Sequence, residues 1–214
     1  MSSLIRPKYL RRYTDLPSLL HLLSTKNLTL LDPKTWDDQN DSYFMSLYKT
    51  QLSLNSLLAL CFSQAPETYH HWRVFSNGPS GVCIVFDKDS LLSSLNKQIG
   101  ITSRPVEYFT LKKAEEKGFV KSELPFVKRY GFEPEKEFRV VYSSKDLDTK
   151  AYLNININLS SIRSISLSPW MHKSLSSSTI KAIRSINDCS KLRVSRSTLI
   201  SNDQWKTFGI NARD

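Results

Sequence analysis

Residues 126–142, FVKRYGFEPEKEFRVVY, decide how this 214-residue chain is read. A basic segment passes through Pro134 into a predicted strand over 135–142. Side chains alternate between faces along a strand. Phe138, Val140 and Tyr142 therefore share one side, and Glu135, Glu137 and Arg139 the other. The apolar side reads as core. The charged side has two readings. Facing solvent, it is an ordinary charged strand whose Glu and Arg neighbours support each other weakly. Lining a cleft, two carboxylates this close split their pKa values, and one can bind or polarise a substrate.

Working outward, the chain alternates strand and helix signals. Residues 8–13 (KYLRRY) read as an opening strand, and Thr14 or Asp15 as the cap of a helix with Leu16, Leu19, Leu20 and Leu23 on one face. A short extended piece at 28–31 precedes WDDQND at 36–41, which has turn chemistry throughout. That turn either caps the next helix or gathers carboxylates for a metal, although it lacks the glycine and distal Glu of a calcium loop. Strands are predicted at 57–62, 82–86, 104–109, 152–159, 162–167 and 192–194. Helices are predicted at 67–75, 90–97, 111–117 and 179–186, the first of them broken by Asn77, Gly78, Pro79 and Gly81. The expected class is α+β: a mixed or antiparallel central sheet flanked by a few helices, with residues 1–214 as a single globular domain.

Thirty Lys and Arg against 20 Asp and Glu give a net charge of +10 and a pI near 9.5. Residues 151–214 hold nine basic and three acidic residues, so +6 of the excess lies there. Nucleic acid or another anionic partner is the expectation from this balance. Cys61, Cys83 and Cys189 are odd in number and lack CxxC spacing, so neither a disulfide framework nor a zinc site is expected, and no other metal is assigned. The polar start lacks a signal-peptide core and no apolar run approaches a membrane span, which makes a cytoplasmic setting the expectation.

His70, His71 and Trp72 are adjacent on one predicted helix, so the two histidines cannot face the same way. Each is either a half-buried structural ring or a base or stacking ring at a site. Ser63 ends a buried strand without a surrounding GxSxG, and P-loop, GxGxxG and HExxH patterns are absent. What survives is a cleft built from carboxylates, Arg, Ser and aromatics.

Taken together, RRYTDLPSLLHLL, LLDPKTWDDQND, LCFS, HWRVFSNGPSGVCIVFD, FEPEKEFRVVY and ISLSPW…LRVSRSTL resemble a widespread bacterial family catalogued as a domain of unknown function. Its recurrent blocks are a "YR" opening, a WeDrND loop, cFS, MWxxYaxxxxGxciefd and yEkEwR. Trp72, Phe75 and Gly81 fall where that family has Trp, Tyr and Gly, and Glu135, Glu137 and Arg139 take the EkEwR positions. Phe75 lacks the family's hydroxyl, and His71 replaces a Met. More distantly, an Arg on a first strand, a Ser ending a second and Glu-x-Glu on a late strand is similar to the layout of ADP-ribosyltransferases. That resemblance implies NAD as substrate, with Arg12 or Arg11 on a phosphate, Ser63 steadying the site, Glu137 at the nicotinamide ribose and Glu135 near the acceptor. It further implies Trp36 or Trp72 stacked on a ring of NAD, with His71 and Arg139 completing the candidate binding set.

Three functions follow as expectations. The first is an ADP-ribosyltransferase-like, NAD-consuming enzyme, as a toxin or phage-defence effector with a nucleic-acid or protein acceptor. The second is a metal-dependent nuclease using Asp38, Asp41, Glu135 and Glu137, with Lys136 or Lys128 nearby. The third is a nucleic-acid-binding or interaction module without catalysis.

Overall fold

The computed structural model describes residues 8–76 and 78–212; residues 1–7, 213–214 and Asn77 of the expected helix break lie outside it. Strand β1 (Tyr9–Asp15) runs directly into α1 (Leu16–Thr25), because the Asp15 carboxylate accepts the Ser18 amide at 2.8 Å and Pro17 needs no donor in the first turn. After β2 (Asn27–Leu31), Asp38 accepts the amides of Asn40 and Asp41 and starts α2 (Gln39–Gln51). WDDQND is thus a capping turn. Next come β3 (Ser56–Ser63) and α3 (Tyr69–Phe75), the latter capped by Thr68. A Cβ on Gly81 would come within 2.6 Å of the Ser76 side chain, so only glycine lets the end of α3 pack on the start of β4 (Gly81–Asp87).

The chain continues through α4 (Lys88–Leu95), β5 (Ile101–Pro105) and β6 (Glu107–Phe109). The single strand expected at 104–109 is two strands in different sheets, parted after Pro105, which has no amide to donate. Then follow α5 (Leu111–Lys117), β7 (Val127–Arg129), β8 (Glu137–Ser144), β9 (Tyr152–Asn156) and β10 (Ile162–Leu167). Helix α6 (Lys173–Ser185) begins six residues before the expected 179, because His172 caps it and carries the serines 174, 176, 177 and 178 into its first turns. Short β11 (Val194–Arg196) and an exposed α7 (Asp203–Ile210), which has no sequence-based counterpart, end the chain. No helix among the described residues is long and apolar enough to cross a membrane.

Nine strands form one sheet of mainly antiparallel pairs, and β6 and β7 pair separately, so the fold is α+β. Strand β3 is its pivot. It pairs with β8 along its full length, from Ser56 opposite Ser144 to Ser63 opposite Glu137. On its other edge it meets β1 only at Arg11–Ser63 and β2 only at Leu31–Ala59. The sheet therefore opens along this edge.

The two faces are covered differently. Leu10, Leu60, Phe62, Ile84, Phe86, Phe138 and Val140 form the main core under α1, α4 and α6, which contribute Leu19, Leu91 and Ile183. On the opposite face, Met45 of α2 and Phe126 pack on Leu57, Ala59 and Val141, while Trp72 of α3 packs on Tyr13 and Cys83. Between these two smaller clusters the sheet is left open to a cavity.

Candidate functional site

The cavity, of about 400 Å³, has sheet for a floor and helix ends for walls. Its floor carries Arg11, Tyr13, Cys61, Ser63 and Glu137; the turn into α2 supplies Trp36 and Asp38, and the end of α3 supplies Val74 and Phe75. Strand register explains the convergence. Arg11 lies opposite Ser63, and Ser63 opposite Glu137, so residues from three adjacent strands stand in one row on one face. Arg12 alternates to the other side, yet reaches the cavity because β1 and β3 part beyond the Arg11–Ser63 pair. Among the described residues neither guanidinium forms an ion pair. Each donates to one backbone carbonyl, Arg11 to Ala65 at 2.9 Å and Arg12 to Cys61 at 3.5 Å.

Across from these cations is a buried charge cluster. Arg139 is fully buried and uses all five of its N–H donors. It donates to both oxygens of Glu137 at 2.7 and 2.8 Å, to both oxygens of Asp41 at 2.8 and 2.7 Å, and to the Pro125 carbonyl at 2.8 Å. The Trp36 ring lies 4.7 Å from its guanidinium carbon. Lys128 Nζ lies 2.8 Å from Glu135, 3.4 Å from Glu137 and 3.7 Å from Asp41. Burial alone would raise the Glu137 carboxyl, but the charge and hydrogen bonds of Arg139, with Lys128 behind them, hold it down at about 2. Glu135 goes the other way: burial raises it, and Lys128 only partly offsets that. Two carboxylates with opposite shifts can divide ionic and proton-transfer roles. Burial and the Glu137 charge also raise the Cys61 thiol, which stays protonated beside them.

Glu135 is not on the strand, contrary to the sequence reading. It ends a 3-10 turn over Tyr130–Glu135, and Lys136, in the left-handed region with φ 43°, turns the chain into β8. Ser63 holds this turn in place. Its hydroxyl donates to the Glu135 carbonyl at 2.7 Å and accepts the Ala65 amide at 3.0 Å. The Thr68 hydroxyl faces His71 Nδ1, which leaves Nε2–H to donate towards Ser63 Oγ at 3.1 Å and the Glu135 carbonyl at 3.4 Å. Burial lowers the His71 pKa and keeps the ring neutral. With its proton on Nε2, His71 is not placed to take one from Ser63.

Arg11, Arg12, Trp36, Ser63, Glu135 and Glu137 thus line one cavity. His71, Trp72 and Arg139 do not line it; each is at most 1% exposed and sits behind the wall. His71 braces Ser63, and Arg139 braces Glu137 and Asp41. Trp72 is core, its indole N–H donating to Glu67 at 2.7 Å. His70 faces outward, as the helical spacing of adjacent residues requires. Sequence reasoning did not find the Arg139–Asp41 pair, which spans 98 positions and leaves no local signal. Asp38 turns one oxygen to the α2 amides, and its Oδ2 is buried in the same cavity wall without a hydrogen-bond partner among the described residues. Among the described residues no group of three or more His, Cys, Asp or Glu side chains could hold a metal ion.

A family model described as a protein of unknown function (DUF2971) matches residues 71–162, a segment that includes His71, Trp72, β4 and the Glu135–Arg139 block but not the opening strand, WDDQND or Ser63. No curated protein matches the chain. Among solved structures, the chain is similar to Thermus sp. 2.9 DarT in complex with carba-NAD+, at 10% identity and a TM-score of 0.45 over 90% of this chain and 96% of that one. The same protein in complex with NAD+ gives 10% identity and 0.46 over 91% and 98%. In complex with ADP-ribosylated ssDNA it gives 8% identity and 0.48 over 89% and 94%.

Proposed function

We propose that the cavity binds NAD as a substrate and that the chain transfers ADP-ribose to a nucleic-acid or protein acceptor, acting as a toxin or defence effector. One observation carries the reading: two guanidiniums without ion-pair partners face an ionised, immobilised carboxylate across a single cavity. Its volume is in the range of small-molecule sites. Arg11 and Arg12 grip the pyrophosphate, since guanidinium forks match phosphate oxygens. Trp36, half-buried in the wall, offers its ring to a planar group of the substrate.

In the reaction, an acceptor nucleophile forms a bond to the anomeric carbon of the nicotinamide ribose as the carbon–nitrogen bond to nicotinamide breaks. The bonding pair leaves with nicotinamide, which departs neutral. Positive charge develops on the sugar, and Glu137 stabilises it; a carboxylate held at about 2 is ionised throughout the physiological range. Glu135, raised by burial, accepts the proton released by the nucleophile.

The test is nicotinamide release from NAD with protein and nucleic-acid extracts as acceptors, comparing wild type with Glu137→Gln. Release by wild type, lowered at least about 100-fold in a folded Glu137→Gln, is the expected result. Equal release by both proteins, or none by wild type, overturns the reading. In the latter case salt-dependent nucleic-acid binding would favour a non-catalytic module, in keeping with the +10 charge.

A further inference from the structure

Asp38 divides the work of its two oxygens. Its Oδ1 accepts the Asn40 amide at 3.1 Å, the Asp41 amide at 3.4 Å and the Asn40 side-chain amide at 3.5 Å. Its Oδ2, buried in the cavity wall, accepts no hydrogen bond among the described residues. A carboxylate oxygen removed from water in this way is costly unless something donates to it. The neighbouring carboxylates are engaged: both oxygens of Asp41 and of Glu137 accept from Arg139, and Glu135 accepts from Lys128. Two residues before Asp38, Trp36 lines the same cavity, with the Arg139 guanidinium carbon 4.7 Å from its ring centre. This end of the cavity carries more acids than bases, since Asp38 stands beside the cluster in which Asp41, Glu135 and Glu137 meet Lys128 and Arg139.

We infer that Asp38 determines specificity: its Oδ2 accepts the carboxamide N–H of a nicotinamide ring held against Trp36, and so selects the amide dinucleotide over the corresponding acid. The inference rests on NAD as the substrate and deepens that reading. Such an oxygen calls for a ligand group that donates and carries no negative charge. Of the two ring systems in NAD, nicotinamide is the cationic one, and the acidic end of the cavity favours it over neutral adenine. A ring stacked on Trp36 presents its substituents sideways, towards the wall that Asp38 forms. A carboxylate in place of the carboxamide removes the donor and sets two negative charges against each other. The site then rejects that analogue by repulsion as well as by lost bonding.

The experiment compares NAD with the dinucleotide whose nicotinamide is replaced by nicotinic acid, on wild type and on Asp38→Asn. Asparagine caps a helix as well as aspartate does, so its oxygen keeps the α2 amides and its NH2 takes the place of Oδ2. Affinities are read by titration calorimetry without an acceptor, and ADP-ribose, which has no nicotinamide, is the control ligand. Wild type should bind NAD at least about 100-fold more tightly than the acid analogue. In Asp38→Asn that preference should fall at least about tenfold, because the new NH2 donates to the acid and no longer accepts from the amide. ADP-ribose should bind both proteins alike. Equal binding of the two dinucleotides by wild type, an unchanged preference in folded Asp38→Asn, or no binding of any of the three ligands overturns the inference. A loss shared by both dinucleotides and ADP-ribose also overturns it, and assigns Asp38 to a ribose hydroxyl instead. Nicotinamide release, measured separately, keeps the two readings apart. The expected preferences without release remove the transfer chemistry and keep the role of Asp38; release with an unchanged preference does the reverse.

Discussion

Replacing Arg139 by Met tests whether the buried charge cluster is held by one guanidinium. The substitution keeps much of the aliphatic volume and removes five hydrogen bonds, four of them to carboxylate oxygens. Asp41 and Glu137, 4% and 5% exposed, then have only Lys128 for compensation, and Lys128 is already committed to Glu135 at 2.8 Å. Removing one partner of a buried ion pair costs about 3–5 kcal/mol. In a chain of this size that lowers Tm by about 10 °C. The dependence on pH identifies the cause. Glu137 is held at about 2 in the folded protein against 4.5 when unperturbed. Its contribution, about 3 kcal/mol, is therefore complete above the unfolded value and is lost as pH falls from about 4.5 through about 2. Without Arg139 burial raises this carboxyl instead, so the variant gains relative stability as it protonates. Urea denaturation at pH 7 and at pH 4 should show the two proteins far apart at pH 7 and closer at pH 4. Adding Asp41→Asn should restore part of the loss at pH 7. A loss below about 1 kcal/mol at pH 7, or one that does not change with pH, refutes the reasoning.

Three further outcomes are expected. Ser63→Ala removes the hydroxyl that ties β3 to the Glu135 turn; it should cost about 1–3 kcal/mol in urea denaturation while keeping measurable NAD turnover, whereas complete loss of turnover in a folded variant would make the hydroxyl a reacting group. Arg12→Ala should raise the KM for NAD about tenfold or more with a smaller effect on kcat, since a phosphate contact made equally in ground and transition states is uniform binding; a change confined to kcat contradicts this role. Glu135 must be ionised to accept a proton, and burial raises its pKa above 4.5, so kcat/KM should rise with pH across a limb displaced above that value; a Glu135→Gln variant that keeps this limb excludes the assignment.

What the sequence revealed and what it hid divide by the range of the interaction. The alternation of Phe138, Val140 and Tyr142 is local, and it placed Glu137 and Arg139 together on the face away from the main core. Glu135 belongs to the same cluster by a different route, through a turn containing Gly131 and Pro134 and a left-handed Lys136, so the strand reading reached the right neighbour for the wrong geometric reason. Asp38 was legible as a cap because its partners are two and three residues away. Asp41 was not legible as a partner of Arg139, because nothing in a hydrophilic turn distinguishes a solvated aspartate from one that an arginine buries. Helix α6 began early because serines have modest helix propensity and the apolar stripe starts only at Ile180, so the signal lay in the His172 cap. The exposed ring of Phe119 carried no periodic signal, since its neighbours are Phe44 of α2 and Phe109 of β6.

The cluster of Asp41, Glu135 and Glu137 invites a metal reading, and its hydrogen bonds argue for a different use. Both oxygens of Glu137 and both of Asp41 accept from Arg139, and one oxygen of Glu135 accepts from Lys128. A divalent cation entering here would have to displace Lys128 or Arg139 from positions in which burial makes every exchanged hydrogen bond expensive. With all three carboxylates ionised, the two cations leave one negative charge uncompensated. That excess falls on Asp41 and Glu135, whose carboxyls burial raises, while Glu137, held ionised by Arg139, stands on the cavity floor in the same strand row as Ser63 and Arg11. The site therefore has fixed poles, with the guanidiniums of β1 on one side and the carboxylates of Asp41, Glu135 and Glu137 on the other. A substrate that is anionic at one end and becomes cationic at the other matches those poles. A phosphodiester held by metal ions would need the carboxylates that Arg139 and Lys128 already occupy.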